Sequence, residues 1–445
     1  MFKYFPHTIA DLDAMKKVVQ IENLNEMFED VPKDVLFNED YDIPSQLSES
    51  EIRSYFAELG RLNKELTIFG GHGFYDHYDP SVINSLVSRQ EFLTAYTPYQ
   101  PEVAQGTLTY IFEYQSMIQT LTGMDTSNAS MYDGSTATAE AMFMAESITK
   151  RTKVLMPKNV NPLIQNVVKT YAHFKGIEVV MVEIKDGLVD RADLAKKCNE
   201  TVAAIIVQKP NFFGLIESFN DIADLIHSVK GILIENADIS TLGVLKTPKE
   251  DGADIAVGDC QSLGMPVAFG GPTLGYMATL KPYVRKMPGR ICGMSMDTQG
   301  RRSFVLTLQA REQHIRREKA NSNICSNQSL MALYATIYLS LMGPMGLREV
   351  NELSYQGAHY LYDSLLKTGK FTPAFKAPFL KEFVVDTKIP QDLIQEALKK
   401  ADIVGGFSLE EIGPEYENLI SFAVTEKRTK KEINKLVSVL EGLSW

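Results

Sequence analysis

Residues 203–238 read AAIIVQKPNFFGLIESFNDIADLIHSVKGILIENAD. Two short, nearly continuous β-branched runs, AAIIVQKP and GILIEN, stand on either side of a segment that carries a helix near 220 to 229. Runs of this kind, apolar on both faces and spaced by single helices, are the signature of strands buried in a mostly parallel sheet. Working outward, KVLMP (153–157), a helix from Pro162 ending near Gly176, IEVVMVEI (177–184) and a helix near 190 to 200 precede the stretch, while DIAVGD (254–259) and TLGYMAT (273–279) follow it. The alternation from Thr152 to about Ala278 predicts a doubly wound α/β domain, its sheet covered on both faces.

The flanks differ in character. In the first 65 residues, Thr8 with Asp11 and Ser48 with Glu51 have the spacing in which a hydroxyl caps a helix start and a carboxylate faces the positive end of its dipole. Ile52, Tyr55, Phe56 and Leu59 then recur at helical spacing, so this arm has an apolar face to bury against its own body or a partner. The segment GTLTYIFEYQSMIQTLTG (106–123) predicts a helix ended by Gly123. Its stripes Leu108, Phe112, Ile118 and Tyr110, Tyr114, Leu121 place it between layers. A helical run from Ile324 leads to Gly343 and Pro344 and then to a further helix. Strands EFVVD and ISFAV follow, and Thr429 with Glu432 caps a last helix whose Ile433, Leu436 and Leu440 share a face. The expected organisation is a helical arm (1–65), a large α/β domain (66–325), and a linker helix with a small C-terminal α+β domain (326–445).

With 445 residues, 44% of them hydrophobic, the chain is long enough for a substantial core. Lys and Arg number 45 against 56 Asp and Glu, a net charge of −11, which speaks against attraction to nucleic acid or anionic lipid. The start MFKYFPHTIADLD lacks the features of a signal peptide, and no apolar run is read as membrane-spanning, so a soluble cytoplasmic protein is expected. Cys198, Cys260, Cys292 and Cys325 form no CxxC pair. His72 and His77, in FGGHGFYDHYDP, are a weak pointer to a metal, and none is expected.

An arm, a large domain of about seven strands and a small α+β domain together suggest the aspartate-aminotransferase-like fold of fold type I pyridoxal phosphate enzymes. Such an enzyme needs backbone amides at a helix start for the phosphate, and MYDGSTATAEAMFMA, with Gly134, Ser135 and Thr136, offers them. It needs a carboxylate for the pyridine nitrogen, and GILIENAD offers Glu235, with Asp238 three residues on. It needs a lysine for the Schiff base. ADIAVGDCQSLG (253–264) has none, with Leu263 near the lysine's place, and Lys246, Lys249 and Lys281 are assigned to the surface.

The run from Ser88 to Ala141, SRQEFLTAYTPYQPEVAQGTLTYIFEYQSMIQTLTGMDTSNASMYDGSTATAEA, resembles the P-protein of the glycine cleavage system. The likeness is greatest to its N-terminal half, in many prokaryotes a separate chain called subunit 1 or alpha. FPHT, GGPTLGYMA, MPGRICG and LTLQAREQHIRREKANSNICSNQSL extend it along nearly the full length. The resemblance implies that a partner, subunit 2 or beta, carries the Schiff-base lysine and the pyridoxal phosphate in an α2β2 assembly. The pair would decarboxylate glycine, release CO2 and pass the aminomethyl group to the lipoyl arm of H-protein, in functional linkage with T-protein and L-protein. In this chain the loop LTAYTPYQPE, stiffened by Pro98 and Pro101, presents Tyr96, Tyr99 and Gln100, either to the partner's active site or as interface packing. Arg311, Arg316, Arg317 and Lys319 either receive an acidic carrier protein or form a solvated face. A non-catalytic scaffold, and a self-sufficient pyridoxal phosphate lyase with another lysine, remain as alternatives.

Overall fold

The computed structural model describes residues 4, 6–37, 39, 41–268, 270–309, 313–320, 322, 324 and 326–444. Phe5 of the FPHT motif, Arg311 and Cys325 lie outside the described residues. The chain forms two compact units, Met1–Lys64 and Glu65–Trp445.

The first unit carries the two expected helices, Ile9–Val19 and Glu49–Arg61, each opened by a complete capping box, Thr8 with Asp11 and Ser48 with Glu51. Neither helix buries a residue, and Tyr55 and Phe56 are 54% and 63% exposed. The apolar face foreseen in the sequence exists and is not covered by the rest of this unit.

The second unit is built on a seven-stranded sheet. Its strands are β1 Thr126–Ser127, β2 Lys153–Pro157, β3 Glu178–Val182, β4 Val202–Lys209, β5 Ile232–Ala237, β6 Ile255–Asp259 and β7 Gly275–Thr279, in the order β1-β7-β6-β5-β4-β2-β3. From β3 to β6 all neighbours run parallel, whereas β7 is antiparallel to both β6 and β1. Side chains alternate across the sheet. Leu155, Ile205, Val207 and Leu233 enter one apolar cluster, and Val154, Ile206, Ile232 and Ile234 enter the other. Each such burial stabilises by roughly 1.5–3 kcal/mol, which is why β4 and β5 are apolar on both faces. The helix Gln105–Thr122 buries Leu108, Ile118, Tyr110 and Tyr114 from its two stripes and stops at Gly123, in the left-handed region at φ 72°.

The C-terminal part holds a four-stranded antiparallel sheet, Phe371–Pro373, Glu382–Thr387, Leu419–Ala423 and Phe407–Ser408, with its own core of Leu361, Phe383, Ile420, Phe422 and Leu436. Thr67 and Ile68 pair in parallel with Ile403 and Val404, which joins the start of the unit to its end.

The helix Ser329–Lys367 is long and apolar enough to cross a membrane by length and composition, contrary to the expectation that no run is. Gly343 breaks it with non-helical dihedrals just before Pro344, where the ring removes a donor and disfavours helix in the preceding residue. Ala332, Leu333, Tyr334, Ala335 and Tyr338 are buried in the protein core ahead of the break, so this is a core helix.

Candidate active-site cleft

A cleft of about 440 Å³ opens at the carboxyl ends of β4, β5 and β6, where open α/β sheets place their ligands. Gln208 lies at the end of β4 and Pro210 follows it, Asn236 and Ala237 end β5 with Asp238 next, Asp259 ends β6, and Asp133 to Thr136 open the helix Gly134–Thr149. His72 and Tyr75 line the side nearest the C-terminal sheet.

The helix start is already occupied by carboxylates of the chain. The Gly134 amide donates to Asp259 Oδ2 (3.0 Å) and the Thr136 amide to Asp133 Oδ1 (2.9 Å). Gly134 is required by proximity, since a Cβ there would lie 2.8 Å from the Asp259 backbone nitrogen. Burial pushes the Asp259 carboxyl up to about 6, against the pull of its hydrogen bonds from the Gln261 and Gly134 amides.

Asp238 is equally committed. Its Oδ2 lies 2.7 Å from Lys381 Nζ, and its Oδ1 accepts from Ser262 Oγ (2.7 Å) and from the amide and hydroxyl of Ser240 (3.1 and 2.9 Å). Lys381, 2% exposed, also donates to Ser240 Oγ and His77 Nε2, both at 3.0 Å, and stands over the Tyr75 ring. His77 Nδ1 in turn donates to Glu426 Oε2 at 2.6 Å. The result is a buried chain, Asp238–Lys381–His77–Glu426, running from the cleft into the C-terminal part. Burial would raise Asp238, and the Lys381 ammonium outweighs it, holding the carboxyl below its usual range. Burial and then Lys381 hold His77 below its ordinary value.

The residues read from the sequence are distributed as follows. Ser135 and Thr136 line the cleft. Glu235 does not, because alternation along β5 sends it to the opposite face, where it pairs with Lys209 at 3.2 Å. Complete burial takes its carboxyl up to about 7. Leu263 is buried in the apolar cluster. Of its neighbours, Gln261 accepts from the Tyr75 amide (2.9 Å) and donates to the Tyr75 carbonyl (2.9 Å), while Ser262 reaches Asp238. Among the described residues lining the cleft none is a lysine.

Tyr96, Tyr99 and Gln100 lie outside the cleft on an exposed loop. Tyr96 is 74% exposed with its hydroxyl 3.3 Å from Ser326 Oγ, two residues before the cleft-lining Gln328. Tyr99, half exposed, accepts from Arg290 Nη2 at 3.1 Å. His72 packs on Phe212 and meets Ser421 Oγ at 2.6 Å, so the two histidines are structural links to the C-terminal sheet. Sequence reasoning missed Asp133, Asp259, Lys381 and Glu426. The lysine left a signal, a charge embedded in the apolar run FLKEF. The others read as ordinary cap and loop residues.

For a phosphate-bearing cofactor the donor set does not fit. Of the amides that would cradle the phosphate, those of Gly134 and Thr136 are bound to carboxylates, the cleft-lining Asp238 is paired with Lys381, and the described cleft-lining residues include no lysine. The sheet, the cleft at its carboxyl edge and the C-terminal α+β part nevertheless define the class, the aminotransferase-like fold of pyridoxal phosphate enzymes. A sphingosine-1-phosphate lyase of Burkholderia pseudomallei K96243 (TM-score 0.65, 12% identity, covering 92% of this chain and 95% of that one) shares this fold. So does a NifS-like protein (TM-score 0.62, 11% identity, 85% and 98%). The sequence model of the glycine cleavage system P-protein matches residues 2–440, and the chain belongs to that family. It is 49% identical to the probable glycine dehydrogenase (decarboxylating) subunit 1 of Carboxydothermus hydrogenoformans, over 99% of both chains. To the protein of that name from Desulforamulus reducens it is 47% identical, over 99% of this chain and 100% of the other. A crystal structure of glycine decarboxylase (P-protein) of the glycine cleavage system, in inhibitor-bound form, superposes with a TM-score of 0.91 at 40% identity, covering 99% of each chain.

Proposed function

We propose that this chain is the lysine-free subunit of a two-chain glycine decarboxylase. A partner, subunit 2, holds the pyridoxal phosphate, and the pair, in an α2β2 assembly, decarboxylates glycine. CO2 is released and the aminomethyl group goes to the lipoyl arm of H-protein, with T-protein and L-protein acting in sequence in the cytoplasm. The observation that carries the reading is the closed chemistry of this chain's own cleft, in a protein that matches chains named subunit 1 from end to end.

The uncovered apolar face of the arm and the exposed tyrosine loop support a partner. An arm with no buried residue gains little from folding alone, and aromatic side chains at an exposed site are the usual anchors of an interface. In this reading Tyr96, Tyr99 and Gln100 present hydrogen-bonding groups to the partner's site.

The test is an absorbance spectrum of the purified chain with pyridoxal phosphate, followed by borohydride reduction and mass analysis. No fixed adduct, with glycine decarboxylation only after addition of the lysine-bearing subunit, is the expected result. A single lysine fixed in the chain alone would replace this reading with that of a self-sufficient lyase.

A further inference from the structure

We infer that Asp259 and Lys381 are the residues that make this cleft refuse a phosphate-bearing cofactor, each supplying from within the chain a charge that such a ligand would otherwise bring. The inference rests on the proposed division of labour only for the identity of the ligand that is refused.

Asp259 leaves β6 aimed at the start of the helix Gly134–Thr149. One carboxylate oxygen takes the Gly134 amide (3.0 Å) and the other the Gln261 amide (2.8 Å). The position where a helix N-terminus would hold a phosphate oxygen is therefore filled by a fixed anion. Asp133 adds a second carboxylate one turn edge away, on the Thr136 amide. A phosphate brought beside these groups meets like charge at contact distance, where each pair costs about 1 kcal/mol in water and more as the site dries.

Lys381 closes the other end. Its ammonium donates to Ser240 and His77, both at 3.0 Å, and forms an ion pair with Asp238 Oδ2 at 2.7 Å. Asp238, a carboxylate lining the cleft, thereby already has its cation, and its remaining oxygen is filled by Ser240 and Ser262. The vacancy of the Schiff-base lysine is thus one of three barriers, and a lysine placed back near Leu263 would leave the other two standing.

The experiment is equilibrium dialysis of the full chain at pH 7.5 against inorganic phosphate and, separately, pyridoxal phosphate. Wild type is compared with Asp259→Ser, which frees the Gly134 amide, and with Asp259→Asn, which keeps the shape and removes the charge. At this pH Asp259 is ionised, since its carboxyl titrates at about 6. The expected result is that Asp259→Ser binds phosphate at least about tenfold more tightly than wild type, with Asp259→Asn intermediate. Wild type binding phosphate as tightly as either variant would overturn the inference. So would an absence of gain in whichever variant retains the wild-type circular dichroism spectrum. Covalent fixation of pyridoxal phosphate in wild type would sink the division of labour instead, so the two failures are distinguishable.

Discussion

The cleft, on one hand, and the tyrosine loop and the arm helices, on the other, treat their functional groups in opposite ways. In the cleft, Asp238 and Asp259 find partners inside the same chain, and behind it Lys381 and His77 are paired as well. Outside it, Tyr96 is 74% exposed on its loop and Tyr55 and Phe56 are more than half exposed on the arm. A site that has satisfied itself has no affinity left to spend on a ligand, whereas a surface of uncovered aromatic rings has it in reserve. The contrast favours the exterior for the contribution proposed for this chain.

The comparison can be broken most severely at Lys381. Lys381→Met leaves Asp238 buried without its cation and should cost about 3–5 kcal/mol in urea unfolding. A loss below about 1 kcal/mol would mean that the cleft is not held by this ion pair. On the outer side, Tyr55→Asp with Phe56→Asp should weaken association with subunit 2 by about 2 kcal/mol, roughly 30-fold, and leave the melting of the isolated chain unchanged. Unaltered affinity would assign the arm's aromatic face no part in assembly. At the loop, Tyr96→Phe or Tyr99→Phe should slow decarboxylation by the assembled complex about tenfold without dissociating it. Full activity in both would make the loop packing and favour a scaffold.

The smallest expected effect is in the pH profile. His77 faces Lys381 and Glu426 directly, Asp238 beyond the lysine, and the Tyr75 ring. Its folded value lies below the ordinary 6.5, so in that window the unfolded chain binds a proton that the folded chain does not. This contribution to stability is complete above pH 6.5 and is lost as the pH falls toward the folded value. His77→Gln should flatten that slope in thermal melts between pH 7 and 5, and an unchanged slope would assign it to other groups.

The alternation of strands and helices, the capping boxes at Thr8, Ser48 and Thr429, and the stop at Gly123 were legible because each is a local pattern with a local cause. The antiparallel direction of β7 was not, since an apolar strand reads alike in either sense. The site was half legible. Ser135 and Thr136, read from helix-start chemistry, line the cleft, while a strand's period of two turns Glu235 away from the face that Asn236 and Asp238 present to it. Lys381 showed only as a charge in an apolar run and Glu426 not at all, as their partners stand 141 to 349 residues away along the chain.

That distance has a consequence for biosynthesis. Thr67 and Ile68 pair with Ile403 and Val404, and His77 waits for Glu426, so an early part of this unit is completed only by residues made much later. The sheet can form while the chain is still growing, with Asp238 lacking its cation until Lys381 emerges. A nascent chain arrested before that residue would carry an open, negatively charged cleft, and contacts of such long range are slow to close. The finished unit is therefore latched where residues 67–77 meet residues 403–426, and a chain arrested before Glu426 would remain unlatched.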